Sequence, residues 1–136
     1  PQAPVQEKGS IMIVLATDAP LTSRQLRRLC VRATAGLVRT GAQLDHGSGD
    51  FCLAFSTSSP IAHDDNSLLR TTQVLANEGQ TMQWLSPAVI ESVEEAILNS
   101  LFCAQTVVGR DGNTRHALPI TPVLELIQQY SALLPH

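Results

Sequence analysis

Two short apolar runs stand out in the pattern of hydrophobic and polar positions along the chain. Residues 11–16 are continuously apolar and rich in β-branched side chains, and Pro20 follows soon after them. This pattern is typical of a strand buried on both faces rather than one that alternates between core and water. Residues 51–56 form the second predicted strand, and residues 68–75 are predicted to form an edge strand within a polar stretch.

Three segments show the apolar periodicity of amphipathic helices. The first follows Thr22, which forms a capping-box pattern with Gln25, and it is predicted to end at Gly41. The second is predicted to begin at Ser86-Pro87, because proline is favoured at the first helical position, and the last begins at Thr121-Pro122. The predicted buried stripes of the first two helices are Leu26, Leu29, Cys30, Ala33 and Leu37, and then Ile90, Val93, Ile97, Leu101 and Ala104.

The order of elements is strand, helix, strand, loop, helix, helix, which predicts an α/β fold. Two or three strands cannot complete a sheet whose members have the pattern of fully buried strands, so the missing strands must come from another segment. The chain begins at Pro1 without Met, and we expect it to be a piece of a longer protein, half of a layered α/β structure. We assign residues 1–9 to a linker and residues 10–136 to one domain.

Composition narrows the function classes. A net charge of −3 argues against a nucleic-acid partner that is bound through its phosphates. No apolar run reaches the length of a membrane span, so no membrane partner is expected either, and we expect a cytoplasmic location. Four arginines, at positions 24, 27, 28 and 32, lie mostly off the apolar stripe of the first helix and predict a solvated face.

The cysteines give no sign of a metal or redox motif. Cys30, Cys52 and Cys103 are odd in number, form no C-x-x-C pair and lie in apolar periodic segments. They are therefore predicted to be buried, reduced thiols.

The junction of Gly9 and Ser10 is the first candidate for chemistry, since it lies between the linker and the first strand. A serine hydroxyl needs a base, and the four histidines fall in loops or at the terminus without a G-x-S-x-G elbow. Cleavage before Ser10 would supply one, because a free α-amine has a pKa of about 7.7–8.0. A simple loop end explains the same two residues.

Two further clusters are candidates. Ser48 lies between two glycines just before the second strand, and Asp50 could polarise its hydroxyl or hold an ammonium group; an ordinary tight turn is the alternative. Arg110, Asp111 and His116 lie in a glycine-rich stretch that lacks the ligand alternation of a calcium loop, so a structural turn is the better interpretation.

Taken together, several stretches resemble the small subunit of the DmpA-type aminopeptidases, the group that includes the β-peptidyl aminopeptidases. The resemblance runs in register from Gly9 to about Pro119 and therefore spans nearly the whole chain. It rests on residues 9–21, 37–41, 47–50, 53–57, 94–101, 109–112 and 116–119.

The resemblance implies an inactive precursor that cuts itself before the nucleophile and yields a large and a small subunit that stay together. Its fold would be a four-layer αββα sandwich, a member would need no metal or cofactor, and it would remove N-terminal residues from peptides, amides or esters. By position, Ser10 matches the nucleophile, Gly9 the residue before the cut, Ser48 a serine near the nucleophile, and Asp50 an acidic residue that binds the substrate amine or tunes Ser10. We also expect a higher homo-oligomer of such two-subunit units.

Two rival functions stay open. An ornithine acetyltransferase-like enzyme shares the self-cleaving architecture, but those enzymes use Thr as the nucleophile, which counts against it at Ser10. A non-catalytic binding or assembly module that kept the fold would explain why nine residues still precede Ser10.

Overall fold

The structure is a computed structural model, and it describes residues 9–131. The linker predicted for residues 1–9 lies, apart from Gly9, outside the described residues, and the predicted domain boundary stays a prediction. The described part of the chain divides into two compact units, one ending at Glu94 and the other beginning at Glu95. In chain order the elements are β1 (Met12–Thr17), α1 (Ser23–Arg39), β2 (Phe51–Ser56), α2 (Glu78–Phe102), β3 (Val107–Val108), a 3-10 turn (Arg110–Gly112), β4 (Thr114–Arg115) and α3 (Ile120–Ser131).

The first unit is built on a β1–α1–β2 crossover. The two strands are parallel, and their register runs from Met12 opposite Phe51 to Thr17 opposite Ser56. Parallel neighbours need a long connection, and α1 supplies it while packing against β2. The predicted second strand and the first helix are confirmed.

The predicted ends of α1 are also confirmed. The Thr22 hydroxyl accepts a hydrogen bond from the Gln25 N–H, and the Gln25 side chain accepts one from the Thr22 N–H at 2.8 Å. This reciprocal pair satisfies amide groups that the first turn leaves without helical partners. At the other end Gly41 adopts a φ of 87°, a conformation that glycine tolerates best.

The core of the first unit joins both long helices to β1. Leu21, Leu29 and Met82 are buried at its centre. Gln25, a polar residue that the apolar pattern did not single out, is 4% exposed because its side chain is used in the helix cap. The half-buried residues around this centre are Leu15, Ala19, Leu26, Leu75, Leu85 and Val89.

The prediction that the first strand is buried on both faces is wrong for this chain. Both strands alternate between exposed and half-buried side chains. One face lies against the helices, as Leu15 does on the core, while the side chains of the other are exposed. Its exposed apolar side chains, Met12, Val14, Phe51, Leu53 and Phe55, are 49–62% accessible.

The second long helix begins eight residues earlier than predicted. Its first residue is Glu78, and Pro87 lies inside it. Asn77 explains the earlier start, because its side-chain oxygen accepts the Gln80 N–H at 3.1 Å and so caps the helix.

None of the helices in the described part of the chain is long and apolar enough to cross a membrane.

The strand predictions outside β1 and β2 also need correction. Residues 68–75 form no strand, and their backbone has no regular structure. The second unit instead contains an antiparallel hairpin of two-residue strands, with Val107 opposite Arg115. Strands this short carry no hydrophobic periodicity, so the sequence pattern could not reveal them.

Candidate active site at the start of two parallel strands

The parallel register brings the predicted site residues together. Ser10 lies just before β1, and residues 48–50 lie just before β2. Since both strands run in the same direction, the residues before them meet at one edge of the sheet. The carbonyl oxygen of Ile11 accepts a hydrogen bond from the Phe51 N–H at 2.9 Å, and this bond holds the segment before β1 next to the start of β2.

The hydroxyl of Ser10 is in contact with the turn before β2. Its Oγ accepts a hydrogen bond from the Gly49 N–H at 3.0 Å. Ser10 is exposed, and within residues 9–131 its hydroxyl has no histidine partner. His46, the histidine nearest in sequence to this turn, pairs with Asp45 at 3.0 Å and is 87% exposed. A serine–histidine arrangement is therefore not formed in the described part of the chain.

Asp50 connects the turn to the start of β1. Its Oδ1 accepts the Ile11 N–H at 3.2 Å and the Ser48 hydroxyl at 2.8 Å. One carboxylate oxygen of Asp50 is thus hydrogen-bonded both to Ile11, which follows Ser10, and to Ser48. Ser48 and Asp50 are hydrogen-bonded to each other, while the Ser10 hydroxyl meets the Gly49 amide that lies between them in the chain. The structure thus brings the three predicted residues to one edge of the sheet, and their catalytic role stays a prediction.

Gly49 is a contributor that sequence reasoning did not single out, although the motif around it was noticed. Its amide is the group that contacts the Ser10 hydroxyl. Backbone donors carry no sequence signature, so only the pairing of two distant segments reveals this contact. Gly9 is exposed, and among the residues that the structure describes no atom beyond its chain neighbours would lie within 4 Å of a Cβ added there.

The third candidate cluster is a structural turn, as favoured from the sequence. Asp111 has a φ of 59° and lies with Gly112 in the connection between β3 and β4. Its carboxylate is 3.4 Å from the Nε of Arg110, and both side chains are more than three-quarters exposed. Among the described residues, no three histidine, cysteine or acidic side chains converge as a metal site would require.

The cysteines differ from the prediction in their burial. All three are free thiols, but Cys103 is exposed while Cys30 and Cys52 are half-buried. Burial raises the pKa of the Cys52 thiol to about 12, and the neighbouring Cys30 thiol adds to the effect. Cys103 is exposed because α2 ends just before it, at Phe102.

The fold is shared with solved structures. The chain superposes with a TM-score of 0.76 on the PH0078 protein of Pyrococcus horikoshii OT3, at 43% identity over 90% of this chain. It superposes with a TM-score of 0.75 on the L-aminopeptidase D-Ala-esterase/amidase of Ochrobactrum anthropi, at 31% identity over 92% of this chain. That protein is described as a prototype for the serine aminopeptidases and a new variant among the Ntn hydrolase fold. The present chain is thus an α/β protein with part of that fold, which confirms the predicted fold class.

The sequence comparisons define the family. A sequence model of peptidase family S58 matches residues 1–115. The β-peptidyl aminopeptidases BapA of Sphingosinicella microcystinivorans and Sphingosinicella xenopeptidilytica are 36% and 37% identical over 92% and 84% of this chain. The chain belongs to peptidase family S58, and the DmpA-type resemblance is confirmed.

The chain spans about a third of the length of these relatives. It covers 31% and 28% of the two BapA proteins, and 34% and 35% of the Pyrococcus and Ochrobactrum chains. The rest of the relatives' fold has no counterpart in this sequence.

Proposed function

We propose that this chain is the nucleophile-bearing part of a self-processing serine aminopeptidase, an amidohydrolase that acts through an acyl-enzyme on Ser10. The observation that carries the proposal is the contact of the Ser10 hydroxyl with the Gly49 amide, beside Asp50 and Ser48. This contact gives the Ser10 hydroxyl a backbone partner beside two polar side chains, in a chain of a peptidase family, and the preceding Gly9 is exposed.

Self-cleavage is the first use of this hydroxyl. The Ser10 oxygen attacks the carbonyl carbon of Gly9, and the peptide bond to the Ser10 nitrogen breaks as that nitrogen takes up a proton. The result is an ester between the Gly9 carbonyl and the Ser10 oxygen. Water hydrolyses this ester, which leaves a carboxylate on Gly9 and a free α-amine on Ser10.

Substrate hydrolysis is the second use. The freed α-amine of Ser10, with a pKa of about 7.7–8.0 before any perturbation, accepts the hydroxyl proton. The hydroxyl oxygen attacks the substrate carbonyl, the amine of the leaving group departs with a proton, and water then releases the acyl group. Asp50 is suited to this step because its carboxylate lies beside Ile11 and carries the charge that a substrate ammonium group needs.

The partner in this proposal is a larger segment of the same precursor. The relatives are about three times as long as this chain, and the exposed apolar face of β1 and β2 would be costly in water. Donors that stabilise the oxyanion would come from that segment. The relatives' names, β-peptidyl aminopeptidase and L-aminopeptidase D-Ala-esterase/amidase, support N-terminal residues of peptides, amides or esters as the substrate class.

Intact mass spectrometry of the full-length precursor tests the proposal. We expect the parent protein to split between Gly9 and Ser10, while Ser10→Ala stays whole. Ser92→Ala is the matched control and should split as the parent does, since among the described residues the Ser92 hydroxyl bonds only to the Ala88 carbonyl within α2. If the folded parent stays whole, the chain loses its base and a non-catalytic module becomes the better explanation. If it splits but transfers acetyl groups to an amino acid instead of releasing acids to water, an ornithine acetyltransferase-like function replaces the hydrolase.

A further inference from the structure

Gly49 has no backbone reason to be glycine. Among residues 9–131, left-handed φ values occur at Gly41, Gly112 and Asp111. Gly49 is not one of them, so an L-amino acid with a side chain can adopt its backbone conformation. Gly47, two residues earlier in the same turn, is likewise outside the left-handed region. The two glycines therefore differ not in backbone conformation but in what a side chain at each position would meet.

The surroundings of Gly49 are the nucleophile and an aromatic ring. A Cβ built on Gly49 would lie 3.4 Å from the Ser10 Oγ and 3.6 Å from the Cε2 of Phe51. These are ordinary van der Waals distances, so a methyl group at position 49 fits as long as the Ser10 hydroxyl is not acylated. At Gly47 an added Cβ would meet no atom of residues 9–131 within 4 Å, which makes Gly47 a matched position without this neighbour.

The space beside the Ser10 Oγ is needed once the hydroxyl is acylated. The acyl carbon is then bonded directly to that oxygen, and its substituents spread into the space next to it. The Gly49 N–H also contacts Oγ, at 3.0 Å, so the turn before β2 bounds part of this space. The Phe51 ring is an apolar wall beside it, since its Cε2 lies 3.6 Å from the same Cβ position.

From this geometry we propose that Gly49 is a specificity-determining residue that sets the size of the acyl group Ser10 can carry, with the Phe51 ring as the adjoining wall. The inference rests on the proposed function, because it requires an acyl group on Ser10. Because Gly49 has no side chain, the enzyme admits substrates whose N-terminal residue has a branched or bulky side chain. Any side chain at position 49 would restrict it to substrates whose N-terminal residue has a small side chain.

Self-cleavage provides an internal control for this proposal. The acyl group in that step is the carbonyl of Gly9, a residue with no side chain. A side chain at position 49 should therefore leave self-cleavage nearly intact while it impairs turnover of larger acyl groups.

The experiment compares Gly49→Ala, Gly49→Val and Gly47→Val in the full-length protein. Self-cleavage is followed by intact mass, and kcat/KM is then measured on the p-nitroanilides of glycine, alanine and leucine. We expect the leucine-to-glycine ratio to fall about tenfold or more in Gly49→Val, less in Gly49→Ala, and to stay unchanged in Gly47→Val, since overpacking by a methyl group or two is costly where space is bounded.

Sulfonyl fluorides give the same comparison without a substrate. The Ser10 hydroxyl oxygen bonds to sulfur, and fluoride and the hydroxyl proton leave as HF, so the mass of the labelled subunit reports the reaction. We expect Gly49→Val to react with methanesulfonyl fluoride as the parent does, but much more slowly with phenylmethanesulfonyl fluoride.

Two results would overturn the inference while leaving the proposed function in place. One is a self-cleaving Gly49→Val enzyme that keeps the parent's preference among all three substrates and both sulfonyl fluorides. The other is the same change of preference in Gly47→Val. Failure of the parent itself to self-cleave would instead count against Ser10 as the nucleophile, a separate outcome that the Ser10→Ala comparison identifies.

Discussion

The Oγ of Ser10 and the backbone nitrogen of Gly49 are 3.0 Å apart, although 39 positions separate them in the chain. The contact follows from the parallel pairing of β1 with β2, which begins with Met12 opposite Phe51. The same edge carries the two hydrogen bonds to Asp50. Ser10 and the turn before β2 are thus held together by the pairing of β1 with β2.

Removal of the Asp50 carboxylate should slow self-cleavage. Asp50→Ala loses both hydrogen bonds to Ile11 and Ser48, and we expect the rate to fall about tenfold, the scale of one hydrogen bond to a charged group. Asp50→Asn keeps an acceptor oxygen and should fall less. A time course of precursor and product on a gel measures both. Asp45→Ala is the control, because within residues 9–131 the Asp45 side chain bonds only to His46. Equal rates in Asp45→Ala and Asp50→Ala would contradict the role of Asp50.

Addition of a methyl group at Gly36 should destabilise the fold. A Cβ there would lie 2.5 Å from the Ile90 carbonyl oxygen and 2.8 Å from the Val93 Cβ, so α1 and α2 would have to move apart. We expect Gly36→Ala to lower the free energy of unfolding by about 1–3 kcal/mol, measured from urea midpoints of the full-length protein. Gly79→Ala, whose Cβ would have its nearest neighbour at 3.8 Å, should show no such loss. A stable Gly36→Ala protein would mean that the helices are less closely packed.

The Glu78 carboxylate should stabilise the folded state at neutral pH and lose this effect in acid. The Arg24 guanidinium, with help from Arg28, lowers the pKa of the Glu78 carboxyl below its usual value of 4.5. Because the folded-state pKa is the lower one, the stabilisation is present above 4.5 and is lost as the pH falls through the folded-state value. The difference in urea midpoint between the parent and Glu78→Gln should therefore shrink below pH 4.5, and also with added salt.

Glu91→Gln is the control for that experiment, since Glu91 is exposed and makes no ion pair with any residue that the structure describes. A difference for Glu78→Gln that persists unchanged at acidic pH would show that the two arginines do not act through the carboxylate.

The thiols should react in a fixed order. Only the thiolate is alkylated rapidly, and a pKa of about 12 leaves Cys52 almost wholly protonated at neutral pH. We expect iodoacetamide to modify the exposed Cys103 well before Cys52 in the native protein, and both at similar rates in urea. Peptide mass spectrometry over time measures the order. Alkylation of native Cys52 as fast as Cys103 would contradict the burial of Cys52.

Local sequence signals predicted those elements whose ends are set by nearby residues. The capping box of Thr22 and Gln25, and the left-handed Gly41, defined α1 because a helix end is satisfied within one turn. The start of α2 was mispredicted because Ser86-Pro87 matches a helix start, whereas the helix begins after Asn77, which caps it. Pro87 lies inside the helix, between the buried Met82 and Val93. Residues 68–75 had a strand pattern but pair with no strand in the described part of the chain.

The candidate residues Ser10, Ser48 and Asp50 were predicted from the sequence through the family resemblance, because the sequence specifies each side chain and its spacing from the others. The sequence also determined the α/β class through its two apolar runs and its amphipathic helices. It did not determine that these residues meet, since a hydrogen bond across 39 positions depends on strand register. The sequence also did not reveal the role of the Gly49 amide, because every residue except proline has the same backbone N–H. It did not reveal the exposed face of β1 either, because burial depends on which other segments are present.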